Sequence, residues 1–363
     1  MKIGIDISQI VYETGVSWYT RNLVHALLSF DKKDEYFLFG GAMRRLPDLN
    51  HFSKDLSGNF TKKFYPLSPM MLDLLWNRLH IFPIENFVGS VDVFHSSNWT
   101  QPPSRKAKLV TTVHDLVPLL YPESSHPKII AVHKRQLKWV KRECERVIAV
   151  SEATKNDIIT YLGIPAEKIS VVYEAPDAIY RKVGDKRVGE VKKKFGLPRH
   201  FLLAVGADPR KNLLNVAQAL TLIPDAPPLV VVGKRWSHPA KQDPAPRDNI
   251  LWIGHVSRSE LSALYSGAQA LIYASLYEGF GLPILEAMAC GCPVVTSNIS
   301  SMPEVAGDAA VLVNPEDVDD IRRGIERVLS KRGEFIKKGL ARVKQFSWEK
   351  AARETLEVYR SVV

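Results

Sequence analysis

Short apolar runs alternate with amphipathic stretches along the whole chain, and this alternation limits the fold more than any other feature of the sequence. KIGIDI, YFLFG, VDVFHSS, KLVTTVHDL, RVIAVS and ISVVYEA form a first series of strand candidates. FLLAVGA, PLVVVG, ILWIGHV, ALIYAS, PVVTSN and AVLVNP form a second. Several are apolar at successive positions, as strands covered on both faces must be. Strands alternating with helices indicate parallel sheets built from βαβ units. The charged stretch RKVGDKRVGEVKKKFGLP interrupts the rhythm between Pro176 and Pro198. At roughly 100–200 residues per domain, a chain of 363 residues suits two. The expectation is an α/β protein of two doubly wound, Rossmann-like parallel-sheet domains facing a cleft. The first covers residues 1–180 and the second residues 198–346, with a last helical pattern at 347–363. In such sheets the loops at the carboxyl ends of the strands carry the ligand.

Composition excludes several classes. Hydrophobic residues make up 45% and charged residues 24% of the chain, which suits a packed globular protein rather than a disordered or fibrous one. No apolar run is long enough for a spanning helix. The opening MKIGIDISQI enters a strand directly and carries no secretion signal, so a cytoplasmic protein is expected. Cys144, Cys290 and Cys292 form neither a Cys-x-x-Cys pair nor a zinc-spaced cluster, and read as buried or idle thiols. The sequons at Asn59, Asn98 and Asn298 read as chance matches. The net charge of +10 favours anionic partners. The basic residues do not interleave with stacking aromatics, so no nucleic-acid partner is expected. The run from Lys128 to Arg146 reads as a basic surface helix with apolar positions at Ile129, Val132, Leu137 and Val140. Its second reading is a contact with an anionic membrane.

The strongest candidate site is ASLYEGFGLPILEAMACGCPVV, residues 274–295. A strand runs into a short loop and a helix begins near Pro283, where proline's missing N–H is not needed. Gly279 and Gly281 let the backbone approach a ligand. The N–H groups around Phe280, Gly281 and Leu282 at the helix start make an anion site. Glu278 before the loop and Glu286 one turn into the helix would be unfavourable beside phosphate alone, but they suit the hydroxyls of a sugar and a ribose. In GADPRKNLLNVAQAL, Arg210, Lys211 and Asn212 open a helix and offer positive charge to a diphosphate.

The spacing from Glu278 to Glu286, with the residues around it, resembles the E-x7-E motif of the retaining GT-B glycosyltransferases, and of glycosyltransferase family 4 (group 1) in particular. The resemblance implies that Glu278 contacts the donor sugar, Glu286 the nucleotide ribose, and the amides between them the diphosphate. Arg210, Lys211 and Asn212 resemble the family's R-K-N loop. The resemblance also gives His114, at the end of VTTVHDL, a place on the donor sugar, where a lone histidine would otherwise read as structural. Asp115 would orient it or its loop. Gly15, in ETGVSWYTRNL, would meet the diphosphate, although Thr14 and Val16 stand where many members have a second glycine. GHVSRSELSALYSGA resembles the base-holding loop, with backbone near His255 and Val256. VFHSSNW and VSEATKND resemble weaker family segments. Tyr173-Glu174-Ala175-Pro176 departs from the family's tyrosine-asparagine-glycine phrase. The final helix, capped by Ser347, would cross back onto the first domain.

The implied reaction moves a hexose, with mannose favoured, from a nucleotide-diphosphate sugar to a glycan or a lipid-linked saccharide. GDP-mannose is favoured over a UDP-sugar because SLYEGFGLPILEAM resembles the family's mannosyltransferases. His114, Arg210, Lys211 and Glu278 would be catalytic. No metal or other cofactor is expected, because the two cations can carry the leaving group's charge. Asp317-Val318-Asp319-Asp320 contains an Asp-x-Asp metal signature of another fold, but reads better as acidic residues opening a helix. A nucleotide-sugar epimerase of the same fold and a non-catalytic sugar binder are the competing readings. The apolar stretch SPMMLDLLWNRLHIFPIENFVG reads either as a core helix or as a wall of the acceptor side.

Overall fold

The computed structural model describes residues 1–233 and 249–363. The chain divides into two compact units, Met1–Glu174 with Ser347–Val363, and Ala175–Phe346. In the first unit, seven strands lie in the order β3-β2-β1-β4-β5-β6-β7. They are β1 (Lys2–Asp6), β2 (Glu35–Gly41), β3 (Phe60–Tyr65), β4 (Val93–Ser96), β5 (Lys108–Val113), β6 (Cys144–Ala149) and β7 (Ile169–Val171). The neighbours pair in parallel. The second unit has the order β10-β9-β8-β11-β12-β13. Its strands are β8 (Leu202–Val205), β9 (Leu229–Val232), β10 (Ile250–Gly254), β11 (Leu271–Tyr273), β12 (Val294–Ser297) and β13 (Val311–Val313), also parallel.

The expected strands all form, and β3 is added to them. FTKKFY escaped sequence reading because an edge strand is half solvated, and its two lysines break the apolar run. The strand order reverses between β1 and β4 in the first unit and between β8 and β11 in the second. In an open parallel sheet that reversal parts the neighbouring loops and leaves a crevice at the strands' carboxyl ends.

Helix α1 (Gly15–Phe30) follows β1 and buries Tyr19, Leu23 and Leu27, which recur every fourth position along one face. The basic stretch forms α2 (Pro127–Glu143) and then enters β6. Only Leu137 and Val140 of its four expected core positions are buried. Ile129 is 49% exposed and Val132 half-buried. The charged stretch expected to separate the domains is instead α3 (Asp185–Phe195), a helix of the second unit. Val191 supplies its buried contact and its lysines face solvent, so it looks like a linker in composition while packing as an element. The second unit also contains helices α4 (Leu213–Thr221), α5 (Arg258–Gly267), α6 (Leu282–Ala289) and α7 (Val318–Ser330). Asp317 caps α7 by accepting from the amides of Asp319 and Asp320, which is the helix-start role expected of that acidic run.

Helix α8 (Trp348–Arg360) is capped by Ser347 and belongs to the first unit. Its Ala351, Ala352, Leu356 and Tyr359 are buried in the core that α1 helps to form. All three cysteines are buried and unbridged. No helix among the described residues is long and apolar enough to cross a membrane.

Candidate functional site

At the switch point of the second unit, β8 and β11 each end in a loop that leads into a helix. After β8 the chain turns through Gly206, and Asp208 caps the turn Pro209–Lys211 by accepting from the Arg210 amide at 3.2 Å. Asn212 adopts a left-handed backbone (φ 55°) and starts α4. Its side-chain amide donates to the carbonyls of Ala274 (3.1 Å) and Pro315 (2.7 Å). Expected to bind the donor, Asn212 has its side-chain amide tied to the loop after β11 through Ala274 and to the loop after β13 through Pro315. The Leu276 amide donates to the Arg210 carbonyl at 2.8 Å, and Arg210 Nη1 to the Tyr277 carbonyl at 3.0 Å. Ser301 Oγ donates to the carbonyls of Glu278 and Phe280 at 2.9 and 2.8 Å. The loop from Tyr277 through Gly279 and Phe280 to Gly281 is buried and held in shape by these bonds.

Gly281 caps α6 with φ 100°, a backbone region costly for any residue with a Cβ. The Ile284 amide turns back to the Gly281 carbonyl at 3.0 Å. Pro283 has no N–H, so the Leu282 amide stands at the mouth of the helix, where the dipole favours negative charge.

The two loops bring Arg210, Lys211 and Glu278 together. Lys211 Nζ lies 2.6 Å from Glu278 Oε1 and 2.8 Å from the Tyr273 hydroxyl. Arg210 Nη1 lies 3.9 Å from Glu278 Oε2, and its Nε 3.0 Å from Asp208. Burial alone would raise the Glu278 pKa, but Lys211 and Arg210 outweigh it and hold the carboxyl below its usual range. Glu278 is thus an ionised acceptor, suited to sugar hydroxyls. Two cations face two carboxylates, so the cluster is balanced before any phosphate enters.

One turn into α6, Glu286 accepts from the Tyr265 hydroxyl at 2.9 Å. Tyr265, on α5, meets the Tyr180 ring edge to face at 6.0 Å. The Arg258 guanidinium sits 5.4 Å from the centre of the Tyr180 ring and pairs with Asp177 at 2.8 Å. Burial pushes the Glu286 carboxyl up to about 7, against the opposing pull of Tyr265 and Arg258. His255 and Val256, in the loop before α5, are exposed and buried respectively. Arg258, two residues on, links that loop to the surroundings of Glu286. Tyr265 was not legible as a site residue, because a tyrosine in a helix reads as core, and Tyr180 lies in an irregular stretch that carries no pattern.

In the first unit, His114 follows β5. Its Nδ1 lies 2.9 Å from Glu174 Oε1, and its ring meets Tyr19 edge to face at 4.5 Å. Glu174 is the residue that breaks the family's phrase, and that departure was the available signal for its role. Accepting the Nδ1 proton fixes the imidazole orientation and leaves Nε2 for a ligand. Beneath the ring lies a buried polar chain. Tyr19 contacts Thr112 at 3.1 Å, Thr112 contacts His95 Nε2 at 2.9 Å, and His95 Nδ1 contacts the Tyr359 hydroxyl of α8 at 2.6 Å. Burial drives the His95 pKa down to about 3, so this ring is neutral. Asp115 accepts from the Val117 amide at 2.9 Å, so it shapes the loop after His114. Gly15 is the first residue of α1, with Thr14 and Ser17 capping reciprocally. A Cβ on Gly15 would meet nothing within 4 Å, so the protein's own packing does not require glycine there. An apolar cavity of about 460 Å³ opens nearby, lined in part by Tyr12, Val16, Pro69, Trp99, Ile129 and Val132.

Two parallel-sheet units with this topology define the GT-B architecture. Sucrose-phosphate synthase from Thermosynechococcus elongatus is similar at a TM-score of 0.73, covering 99% of this chain and 98% of its own at 20% identity. The sequence then fixes the family. Residues 189–352 match the glycosyl transferases group 1 and residues 14–178 match Glycosyltransferase Family 4. The chain is 32% identical to O-antigen chain mannosyltransferase B of Escherichia coli, across 99% of this chain and 100% of the relative. It is 33% identical to O-antigen chain mannosyltransferase RfbU of Salmonella typhimurium, across 60% of each. The chain belongs to the group 1 glycosyltransferases of family 4, and it is an enzyme of glycosyl transfer.

Proposed function

We propose that the protein transfers mannose from GDP-mannose to a growing surface-glycan acceptor, with retention of anomeric configuration. One observation carries the donor half of this reading: Arg210 and Lys211 converge on the ionised Glu278 beside the N-terminus of α6. Breaking the anomeric bond leaves negative charge on the diphosphate. Arg210, Lys211 and the Leu282 amide are arranged to receive it, and such preset donors need no reorganisation during the reaction. As the diphosphate enters, the cations divide their charge between it and Glu278, which keeps its lone pairs for the sugar hydroxyls. Glu286 takes the ribose hydroxyls in its ionised form, and His114, oriented by Glu174, serves the sugar through Nε2. Gly15 would serve the diphosphate and the His255–Val256 backbone the base. The chemistry needs no divalent metal when two cations already face the leaving group. The choice of mannose rests on the full-length similarity to a mannosyltransferase, and retention rests on the family.

The test is to incubate the protein with GDP-mannose and a lipid-diphosphate-linked oligosaccharide, without added metal, and to read the product by mass and by proton NMR. The expected product is the acceptor plus one hexose in α-linkage, with GDP released in equal amount. Conversion of the donor to an epimer without acceptor would replace this reading with an epimerase. Binding of GDP-mannose without turnover on any acceptor would leave a sugar-binding protein.

A further inference from the structure

The segment Pro69–Phe82 of the first unit does not fold as the core helix its composition allows. Leu72 and Trp76 are fully buried, but Met70, Met71, Leu74, Leu79, Ile81 and Phe82 stand between 41% and 79% exposed. This exposed group is held rigidly. The helix widens at its end, with the Leu79 amide donating to the Leu74 carbonyl and the Ile81 amide to the Leu75 carbonyl, both at 2.9 Å. Trp76 Nε1 donates to the Phe82 carbonyl at 3.1 Å. His80 and Phe82 both hold left-handed backbones, at φ 54° and 60°. His80 is fixed there by Glu143 at 2.7 Å and by stacking 3.5 Å from the Trp139 ring of α2. Strained backbone that persists under such fixing marks a segment kept for a purpose. Here its effect is to turn Leu79, Ile81 and Phe82 outward.

The neighbouring helix supplies the second half of the argument. Helix α2 carries six Lys and Arg residues and one acid. Lys134, Lys138, Lys141 and Arg142 fall on one helical face and are exposed. Among the described residues none of these four has a carboxylate partner within ion-pair distance. Lys138 Nζ and the Arg142 guanidinium lie 5.6 and 5.5 Å from the centre of the same Trp139 ring on which His80 stacks. Unpaired cations therefore flank the apolar group at its base.

We propose that Pro69–Phe82 and the basic face of α2 together form a docking surface for an anionic lipid bilayer. Leu79, Ile81 and Phe82 enter the interface, and Lys134, Lys138, Lys141 and Arg142 meet the headgroups. Apolar side chains that reach into the acyl boundary beside cations that attract anionic lipid are the two parts of interfacial binding. Nucleic acid would answer the cations but not the methionines and leucines. The apolar cavity lies between the first turns of the same two segments, through Pro69 and Ile129, so a docked molecule would hold it beside the bilayer. The surface includes none of the proposed donor residues, and its failure would leave the donor reading untouched.

The test is sedimentation of the full chain with phosphatidylcholine vesicles, with and without about a third phosphatidylglycerol. Two variants accompany it, Lys134→Ser with Lys138→Ser, and Leu79→Ser with Ile81→Ser and Phe82→Ser. Circular dichroism and a cooperative melting transition like that of the wild type show that each variant is folded. The protein is expected to sediment with the anionic vesicles only. The lysine variant should partition roughly 30-fold more weakly, the factor for two lysines at about 1 kcal/mol each. The apolar variant should lose binding at a salt concentration where the wild type still holds. Failure to sediment with anionic vesicles at low salt, or variants that sediment like the wild type, would overturn the proposal. So would a dimer, abolished by the apolar variant, in a protein that ignores both vesicles; a second copy would then be the occupant.

Discussion

Replacing Glu286 by glutamine should change the pH dependence of both stability and nucleotide binding, in amounts the structure sets. Burial raises this carboxyl from 4.5 to about 7 in the folded protein. Below about pH 4 both states hold the proton, and the group adds nothing to the pH dependence. As pH rises above 4.5 the unfolded chain ionises first, so stability falls until the native carboxyl also ionises near 7. Beyond that the penalty is constant. The gap of 7 minus 4.5 corresponds to about 3 kcal/mol as an upper bound. Glutamine removes the titration while its carbonyl still accepts from Tyr265. Scanning calorimetry should therefore give matching melting temperatures for Glu286→Gln and wild type near pH 4. By pH 8 the variant should melt several degrees higher. Binding runs the other way, because only the ionised carboxylate accepts both ribose hydroxyls. About a tenth of the wild type is ionised at pH 6 and nine-tenths at pH 8, so its affinity for GDP should rise about tenfold across that range. The variant carries whatever titration belongs to the nucleotide itself and gives the baseline. A melting difference independent of pH, or equal pH slopes of binding, would refute the placement of Glu286.

Three further outcomes follow from single side chains. Lys211→Met removes a donor to the leaving group and uncovers Glu278; kcat should fall by about a hundredfold or more, with the fold intact by circular dichroism. Gly15→Ala meets open space and should not lower the melting temperature, so any loss of donor affinity measured by calorimetry reports ligand contact rather than folding. Tyr359→Phe strands the buried His95 Nδ1 and should cost about 1–3 kcal/mol in urea unfolding.

Much of the architecture was legible because doubly wound sheets write themselves as apolar runs. The donor loop was legible because glycine, proline and paired carboxylates at fixed spacing have few other uses. What escaped was set by tertiary context. The β3 strand is half solvated, and α3 has one buried residue in a charged helix, so neither carries the usual pattern. The pairing of Lys211 with Glu278 needs two loops 67 positions apart to meet, and no local signal announces it. Glu174 showed only as a departure from a family phrase; its hold on His114 spans 60 positions. Tyr265 is indistinguishable in sequence from the core residues beside it. The exposed face of Pro69–Phe82 looks like core in composition, and the left-handed backbone at His80 and Phe82 that turns its end outward has no sequence signal.

The proposed activity depends on a nucleoside-diphosphate site in the second unit, built on Arg210, Lys211, Glu278 and Glu286. Its most direct test is thermal stabilisation of the pure protein by GDP, UDP, ADP and dTDP without metal, repeated on Glu286→Ala. Binding to the folded state raises the melting temperature by mass action, by about 2.7 kcal/mol of stability at a hundredfold excess over Kd. A shift with GDP that Glu286→Ala loses is the expected result. No shift with any of the four, or a GDP shift unchanged in the variant, would contradict it.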